Sequence, residues 1–266
     1  MIFELNNINF SYLNKFPALC DVSVSIEEGQ KVVLMGANGT GKSTLLSLLD
    51  ALIFAGSGSF RAFDREVMKS DFQDEGFSLD FRRKVGFVFQ NPDIQLFCPT
   101  VKEDILFGPL QLGVDEGQAK RRLERLAAIL KLEHLLDRSV HQLSLGEKKK
   151  AANAGVLAIE PQVLLLDEPT AGLDPRTTRD IIDLLLAESQ KGKTIITATH
   201  DLHLCSEIAD VIHVFGSGNT LVRSLSSSEI FSDEAFLKEN NLIHIHRHSH
   251  GGSLHTHPHI HLDHHA

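Results

Sequence analysis

The sequence predicts an α/β fold, a mostly parallel sheet covered by helices on both faces. Three observations carry that reading. Short apolar runs such as KVVLM and VLLLD alternate with segments of helical period. The first of these runs enters a glycine-rich turn, GANGTGKST, with helical spacing behind it. A stretch at about 99–160 then breaks the alternation with helical texture alone and reads as an inserted subdomain.

From the N-terminus, IFELNNINFSY is strand-like, with bulky residues punctuated by asparagine. ALCDVSVSI alternates apolar and polar residues at period two, the mark of a half-exposed strand. KVVLMG (31–36) is a buried strand, and the leucines of KSTLLSLLDAL recur at helical spacing. More strands are expected from about 58 to 90, around a polar loop near 70–80. VDEGQAKRRLERLAAILKLEHLL is amphipathic, with Leu and Ala at intervals of three and four, and EKKKAANAGVLAIE is a second helix. VLLLDEPT is again a buried strand, and PRTTRDIIDLLLAES a helix with Pro175 in its first turn. TIITATH and ADVIHVF read as further strands. The chain thus divides into a main body (1–217), an extension (218–243) of polar, loop-rich texture, and a flexible histidine-rich tail (244–266) with few large apolar groups.

The formal net charge of −9 argues against general nucleic-acid binding, which needs a basic face. Three cysteines far apart and no C-x-x-C pair argue against a disulfide framework and for a reducing compartment. The acidic residues Glu4, Asp21, Glu27 and Glu28 speak against a signal peptide. The longest apolar runs are far shorter than the ~20 residues that cross a bilayer, so membrane work would need another chain to do the spanning.

Gly36, Ala37, Asn38, Gly39, Thr40, Gly41, Lys42, Ser43 and Thr44 match G-x-x-x-x-G-K-[ST]. The spacing has a mechanical reason. Glycines let the backbone wrap closely, so that N–H groups converge on phosphate, and the following helix adds its positive end. Lys42 supplies a charge for the β- and γ-phosphates, and the Ser43 hydroxyl is suited to Mg²⁺. By average residue frequencies the four fixed positions coincide by chance in roughly one chain in a hundred of this length.

Asp167 and Glu168 end the buried run VLLLDE, and ligands of open parallel sheets bind beyond the carboxyl ends of the strands. Asp167 is suited to hold Mg²⁺, and Glu168 to polarise an attacking water. His200 ends TIITATH in the same way and is expected to reach the γ-phosphate, while Gln90 ends KVGFVFQ and is a candidate to ligate Mg²⁺ or orient water. Tyr12, the one tyrosine, is either a ring for stacking on adenine or a plain exposed strand residue.

Together these motifs resemble the ATP-binding subunits of ABC transporters. The family order is an adenine-stacking aromatic, the phosphate loop, a Q-loop glutamine, a signature, the acidic strand end, a D-loop and a switch histidine. Here these fall on Tyr12, Gly36–Thr44, Gln90, LSLGE (143–147), VLLLDE (163–168), AGLD (171–174) and His200. The resemblance covers roughly residues 2–217. It implies a P-loop NTPase (RecA-like) core, an N-terminal antiparallel β-subdomain and an inserted helical signature subdomain. It implies ATP and Mg²⁺ as ligands, a pair of ATPase subunits, alike or different, transmembrane partners, and a place on the cytoplasmic face of the membrane. Ser144, Leu145, Gly146 and Glu147 would act on ATP bound by the partner subunit, and Asp174 would lie at the contact between the two. The common signature has two glycines after the serine. Leu145 replaces the first, which puts the local geometry in question because leucine avoids positive φ.

VFQNPDIQLF, ILFGPLQLG and SLGEKKKAANAGVLAIEP resemble the cation and energy-coupling-factor branch, which imports metal ions or vitamins. PDIQLFCPT (92–100) is the candidate docking surface for membrane partners. Ten of the fifteen histidines lie in the tail: His244, His246, His248, His250, His255, His257, His259, His261, His264 and His265. Imidazoles bind several divalent metals with modest selectivity. The tail is either a buffer or sensor of the transported metal, for which the branch resemblance implies nickel or cobalt with zinc behind, or a solvated tail with incidental metal affinity. A soluble ABC ATPase with no transport role and an energising subunit for vitamin uptake are the competing readings.

Overall fold

The computed structural model describes residues 1–240, 242, 244–250 and 253–259. An antiparallel sheet forms first. In it β1 (Phe3–Tyr12) lies between β2 (Phe16–Ile26) and β4 (Ser57–Ala62), with the short β5 (Arg65–Glu66) at the edge. The alternation legible in β2 is realised as Val22, Val24 and Ile26 buried, with Asp21, Ser23 and Ser25 between them exposed.

The second sheet carries the site. Its order is β10-β9-β3-β8-β7-β6, built from β3 (Lys31–Met35), β6 (Val85–Val88), β7 (Val163–Asp167), β8 (Thr194–Thr199), β9 (Val211–Phe215) and β10 (Leu221–Ser226). All pairs are parallel except β9 with β10. Every residue of β6, β7 and β8 is buried, as strands covered on both faces must be. The crossovers use α1 (Lys42–Leu49), α6 (Pro175–Gln190) and α7 (Leu202–Ile208).

The inserted helices are α3 (Val101–Gln111), α4 (Glu116–Leu130) and α5 (Leu145–Ala158). Asp115 caps α4 by accepting from the Gln118 amide at 3.1 Å, and Leu123, Leu126, Ala127 and Leu130 line its buried stripe. Each such leucine contributes about 2 kcal/mol of burial, an upper estimate against an extended chain. Two cores result. One joins the antiparallel sheet, α1 and one face of the main sheet; the other lies among the inserted helices, α6, α7 and the opposite face.

Two local expectations change. The stretch at 70–80, expected as a loop, runs into α2 (Glu75–Lys84), whose Phe77 and Phe81 join Phe72 in an aromatic cluster. The segment 218–243, expected as loop, contains β10, α8 (Ser227–Ser232) and α9 (Glu234–Glu239), and its Leu225, Ile230, Phe236 and Leu237 enter the second core. In the tail, β11 (His244–His250) and β12 (Ser253–His259) pair as an antiparallel ribbon. Its register sets His244 opposite His259, His246 opposite His257 and His248 opposite His255. A ribbon needs only backbone pairing, which is why a composition too polar for a packed core does not forbid it. His261, His264 and His265 lie outside the described residues.

Candidate functional site

The phosphate loop joins β3 to α1. Gly41 has φ +98°, and a Cβ there would stand 2.2 Å from the Ala18 carbonyl oxygen, so only glycine fits against β2. Gly39, at φ +83°, makes the other left-handed turn. The Thr40 hydroxyl donates to the Ala37 carbonyl at 2.9 Å and closes the loop. Lys42 is buried, and its Nζ donates to the carbonyls of Gly36 (2.7 Å) and Ala37 (3.0 Å). Burial lowers its pKa, against the pull of the nearby Glu168 and Asp167 carboxylates.

Asp167 closes β7 and Glu168 follows at φ +44°, a left-handed conformation that costs a non-glycine residue about 1–3 kcal/mol. The surroundings hold it there. Its amide donates to the Ala198 carbonyl at 2.9 Å, Thr199 Oγ1 donates to Oε2 at 3.0 Å, and His200 Nδ1 stands 2.7 Å from Oε1. Two residues at the end of β8 therefore fix the carboxylate. His200 meets Glu168 directly, so any reach to a γ-phosphate runs alongside that contact.

Lys42, Asp167 and Glu168 border one cavity of about 460 Å³, with Tyr12, Ser43 and Gln90 also among its walls; His200 does not line it and reaches it through Glu168. Tyr12 stands over the phosphate-loop helix, its hydroxyl 3.2 Å from Thr44 Oγ1. Asn38, Gly39, Gly41 and Thr44 also line it. Gly36, Ala37 and Thr40 support the loop from behind through the bonds just given. Asp167 Oδ1 is buried with no hydrogen-bond partner among the described residues. Burial raises its pKa, while hydrogen bonding from Ser43 and the charge of Lys42 pull the other way. An orphaned carboxylate oxygen beside a serine hydroxyl and a glutamine amide is an all-oxygen set, which suits Mg²⁺. When bound, that ion offsets negative charge on the phosphates.

Sequence reasoning missed four lining residues: Phe16, Pro17, Ala18 and Asn219. Phe16 faces the cavity from β2, in register with Tyr12, and Asn219 comes from the turn between β9 and β10. Asn219 is tied there by its side-chain amide, which donates to the Pro17 carbonyl at 2.7 Å. Exposed phenylalanine beside the tyrosine was a signal available in the sequence; the distant asparagine left none.

The signature segment stands apart from that cavity. Ser144 caps α5: its N–H and Oγ both donate to Glu147 Oε2 at 2.8 Å, and these bonds lower the Glu147 pKa. Leu145 is the first helical residue and has no positive φ, so its backbone is compatible with leucine. Its side chain lies over Gly172, while Gly146 packs on Thr177. Asp174 caps α6, accepting from the Arg176 and Thr177 amides at 3.0 Å. Among the described residues, no group of three or more His, Cys, Asp or Glu side chains is arranged to hold a metal, and no helix is long and apolar enough to cross a membrane.

Comparison with known proteins gives consistent results. The family described as ABC transporter matches residues 19–171. The nickel import ATP-binding protein NikO of Rhodobacter capsulatus is 43% identical, over 91% of this chain and 95% of that protein. The structure of cbiO1 from Clostridium perfringens, described as part of the ABC transporter complex cbiONQ, superposes with a TM-score of 0.76 at 33% identity, covering 91% of this chain and 94% of that one. The dimeric structure of MJ0796, a bacterial ABC transporter cassette, gives 0.76 at 26% identity, covering 85% and 99%.

Proposed function

The chain belongs to the ABC transporter family, and from that premise we propose that it is the ATP-hydrolysing motor subunit of an energy-coupling-factor-type importer for nickel or cobalt ions. One observation carries the mechanism: the phosphate loop, Asp167, Glu168 and Gln90 border a single cavity, and none of the signature residues lines it. One chain then offers half of each catalytic site. In this reading a second ATPase subunit, identical or related, closes over two ATP molecules. The exposed N-terminus of α5, with Ser144 and Gly146, meets the terminal phosphate held by the partner, a helix end suited to an anion. The cassette of MJ0796 is described as dimeric, which supports the pairing.

Within its own site, Lys42 and the loop amides hold the phosphates, Tyr12 stacks on the adenine, and Ser43, Gln90 and Asp167 hold Mg²⁺. Glu168 takes the proton of the attacking water, and His200 fixes the direction of the carboxylate. Closure favoured by bound ATP, and opening after hydrolysis, make a two-state element that moves membrane partners. Their docking surface is the segment 92–100 with its surroundings. Ile94 is 67% exposed and Phe97 63%, and Phe97 packs edge-on against the exposed Phe107. In this reading the chain works at the cytoplasmic face of a membrane that its partner subunits span.

The cargo reading draws on the name of the nickel-import relative and on the tail. Ten of the fifteen histidines lie between His244 and His265. In this reading that density of imidazole binds Ni²⁺ or Co²⁺ and concentrates cargo rather than catalysing. Reconstitution with its membrane subunits in vesicles tests the whole: ATP-driven uptake of radioactive nickel or cobalt is expected. Uptake of a vitamin instead, or ATPase activity indifferent to any membrane partner, overturns the cargo or the transport reading respectively. Deleting residues 244–266 should remove nickel binding measured by calorimetry and leave basal ATPase intact.

A further inference from the structure

Three consecutive lysines follow the signature in EKKK. A run of like charge on a helix ordinarily marks a solvated face, but here each lysine goes to a different element. Lys148 pairs with Asp93, in the segment after Gln90, at 2.6 Å. Lys150 pairs with Asp180 of α6 at 2.6 Å. Lys149 is 4% exposed and makes neither kind of contact; it turns inward beneath the acidic end of β7. Its Nζ donates to the carbonyls of Glu168 (2.8 Å), Ala171 (2.8 Å) and Pro169 (3.4 Å). An ammonium has three N–H donors and no acceptor, so three converging carbonyls match it fully. The turn it grips is the strained one, with Glu168 at φ +44° and Gly172 at φ +72°.

We propose that Lys149 is the positioning residue of the hydrolytic site: it ties the helix whose N-terminus carries Ser144 to the turn that carries Glu168, and so couples the two ATP sites of a closed pair. This rests on the composite-site reading above. Ser144 and Lys149 stand on one rigid helix, a little over one turn apart. Contact of Ser144 with the partner's nucleotide shifts α5, and Lys149 transmits the shift to the backbone of Glu168 and the first residue of the D-loop. The Glu168 carboxylate is held from β8 through Thr199 and His200, while its backbone carbonyl accepts from Lys149 Nζ at 2.8 Å and from the Ala171 amide at 3.3 Å, so α5 acts on Glu168 through its main chain. Burial lowers the Lys149 pKa to about 8, the Glu168 and Asp167 charges opposing the fall, so the side chain keeps its three donors at neutral pH.

The test uses the full chain assembled with its membrane subunits, comparing Lys149→Met, Lys149→Arg and the neighbouring-lysine control Lys150→Ala, whose partner is Asp180. Lys149→Met is expected to lower kcat at least tenfold and to leave the Kd for a fluorescent ATP analogue within twofold. The Hill coefficient for ATP should fall toward one. Lys149→Arg, which keeps the charge and several donors, should recover a large part of kcat and of the cooperativity. Lys150→Ala should resemble wild type. Wild-type kcat and Hill coefficient in folded Lys149→Met overturn the proposal. So does a parallel loss of kcat, affinity and melting temperature that arginine does not rescue, since that is what a merely structural lysine would give. If Lys149→Met fails to fold, Lys149→Gln, a shorter neutral donor, is judged by the same criteria. Failure of the composite site itself would show separately, as full hydrolysis by monomers carrying intact Lys149.

Discussion

Replacing Glu168 by glutamine isolates one function of that side chain. Glutamine has nearly the same shape, keeps an oxygen for the Thr199 hydroxyl that now donates at 3.0 Å, and meets the same backbone at φ +44°. What it loses is the capacity to take a proton and one negative charge. That charge lies close enough to Lys42 and Lys149 to oppose the fall in pKa that burial imposes on both. Losing a general base costs about 10²–10⁴ in rate, or about 3–5 kcal/mol in barrier. Removing a carboxylate beside the phosphates cannot weaken their attraction to Lys42 by repulsion, so ATP affinity should hold or tighten. The assay is steady-state phosphate release beside ATP binding by fluorescence, with the oligomeric state followed by size exclusion in ATP. Expected are a kcat at least a hundredfold down, a Kd within threefold of wild type and accumulation of the closed pair. A kcat within threefold of wild type would remove Glu168 from the role of base and leave its strained backbone without a chemical reason.

Three further outcomes follow from the same geometry. Lys42→Ala removes a buried, charge-assisted donor worth about 1.5–3 kcal/mol, so ATP should bind at least tenfold more weakly by equilibrium dialysis; unchanged affinity would contradict the phosphate-loop reading. Ser144→Arg should leave monomers binding ATP but prevent ATP-dependent pairing, and normal hydrolysis in that variant would dismiss the composite site. Asp50, at the end of α1, has its pKa raised from 3.8 to about 7 because burial outweighs the Arg82 guanidinium 3.1 Å away. The folded state therefore holds this proton more tightly than the unfolded one. Stability from this group is greatest below about pH 4 and falls as pH rises toward 7, by up to about 4 kcal/mol. Urea unfolding of wild type against Asp50→Asn at pH 5 and pH 8 should show the wild type gaining relative stability at pH 5; a gap independent of pH would refute the assignment.

What was legible in the sequence was what local geometry demands. Gly41 must be glycine because of the Ala18 carbonyl, and the buried run before Asp167 must be apolar because both faces of β7 are covered. Requirements of that kind write themselves into spacing and composition. The helix α2 escaped because its polar residues resemble a loop, and only the packing of Phe72, Phe77 and Phe81 fixes it as a helix. The Leu145 question also needed the backbone: a residue that opens a helix, with Ser144 as its cap, has no call for glycine's freedom. Lys149 was the least legible of all. In sequence it is the middle of a charged run, indistinguishable from Lys148 and Lys150. A helix turns about 100° per residue, so three adjacent lysines must point three ways, and only the arrangement of β7 and α6 around α5 decides which one is buried. The residue that reaches the catalytic turn is therefore selected by the tertiary fold, and its partners are backbone carbonyls, which carry no sequence identity. Reading the site from motifs alone finds the groups that line the cavity and passes over a residue such as Lys149, which holds the backbone behind them.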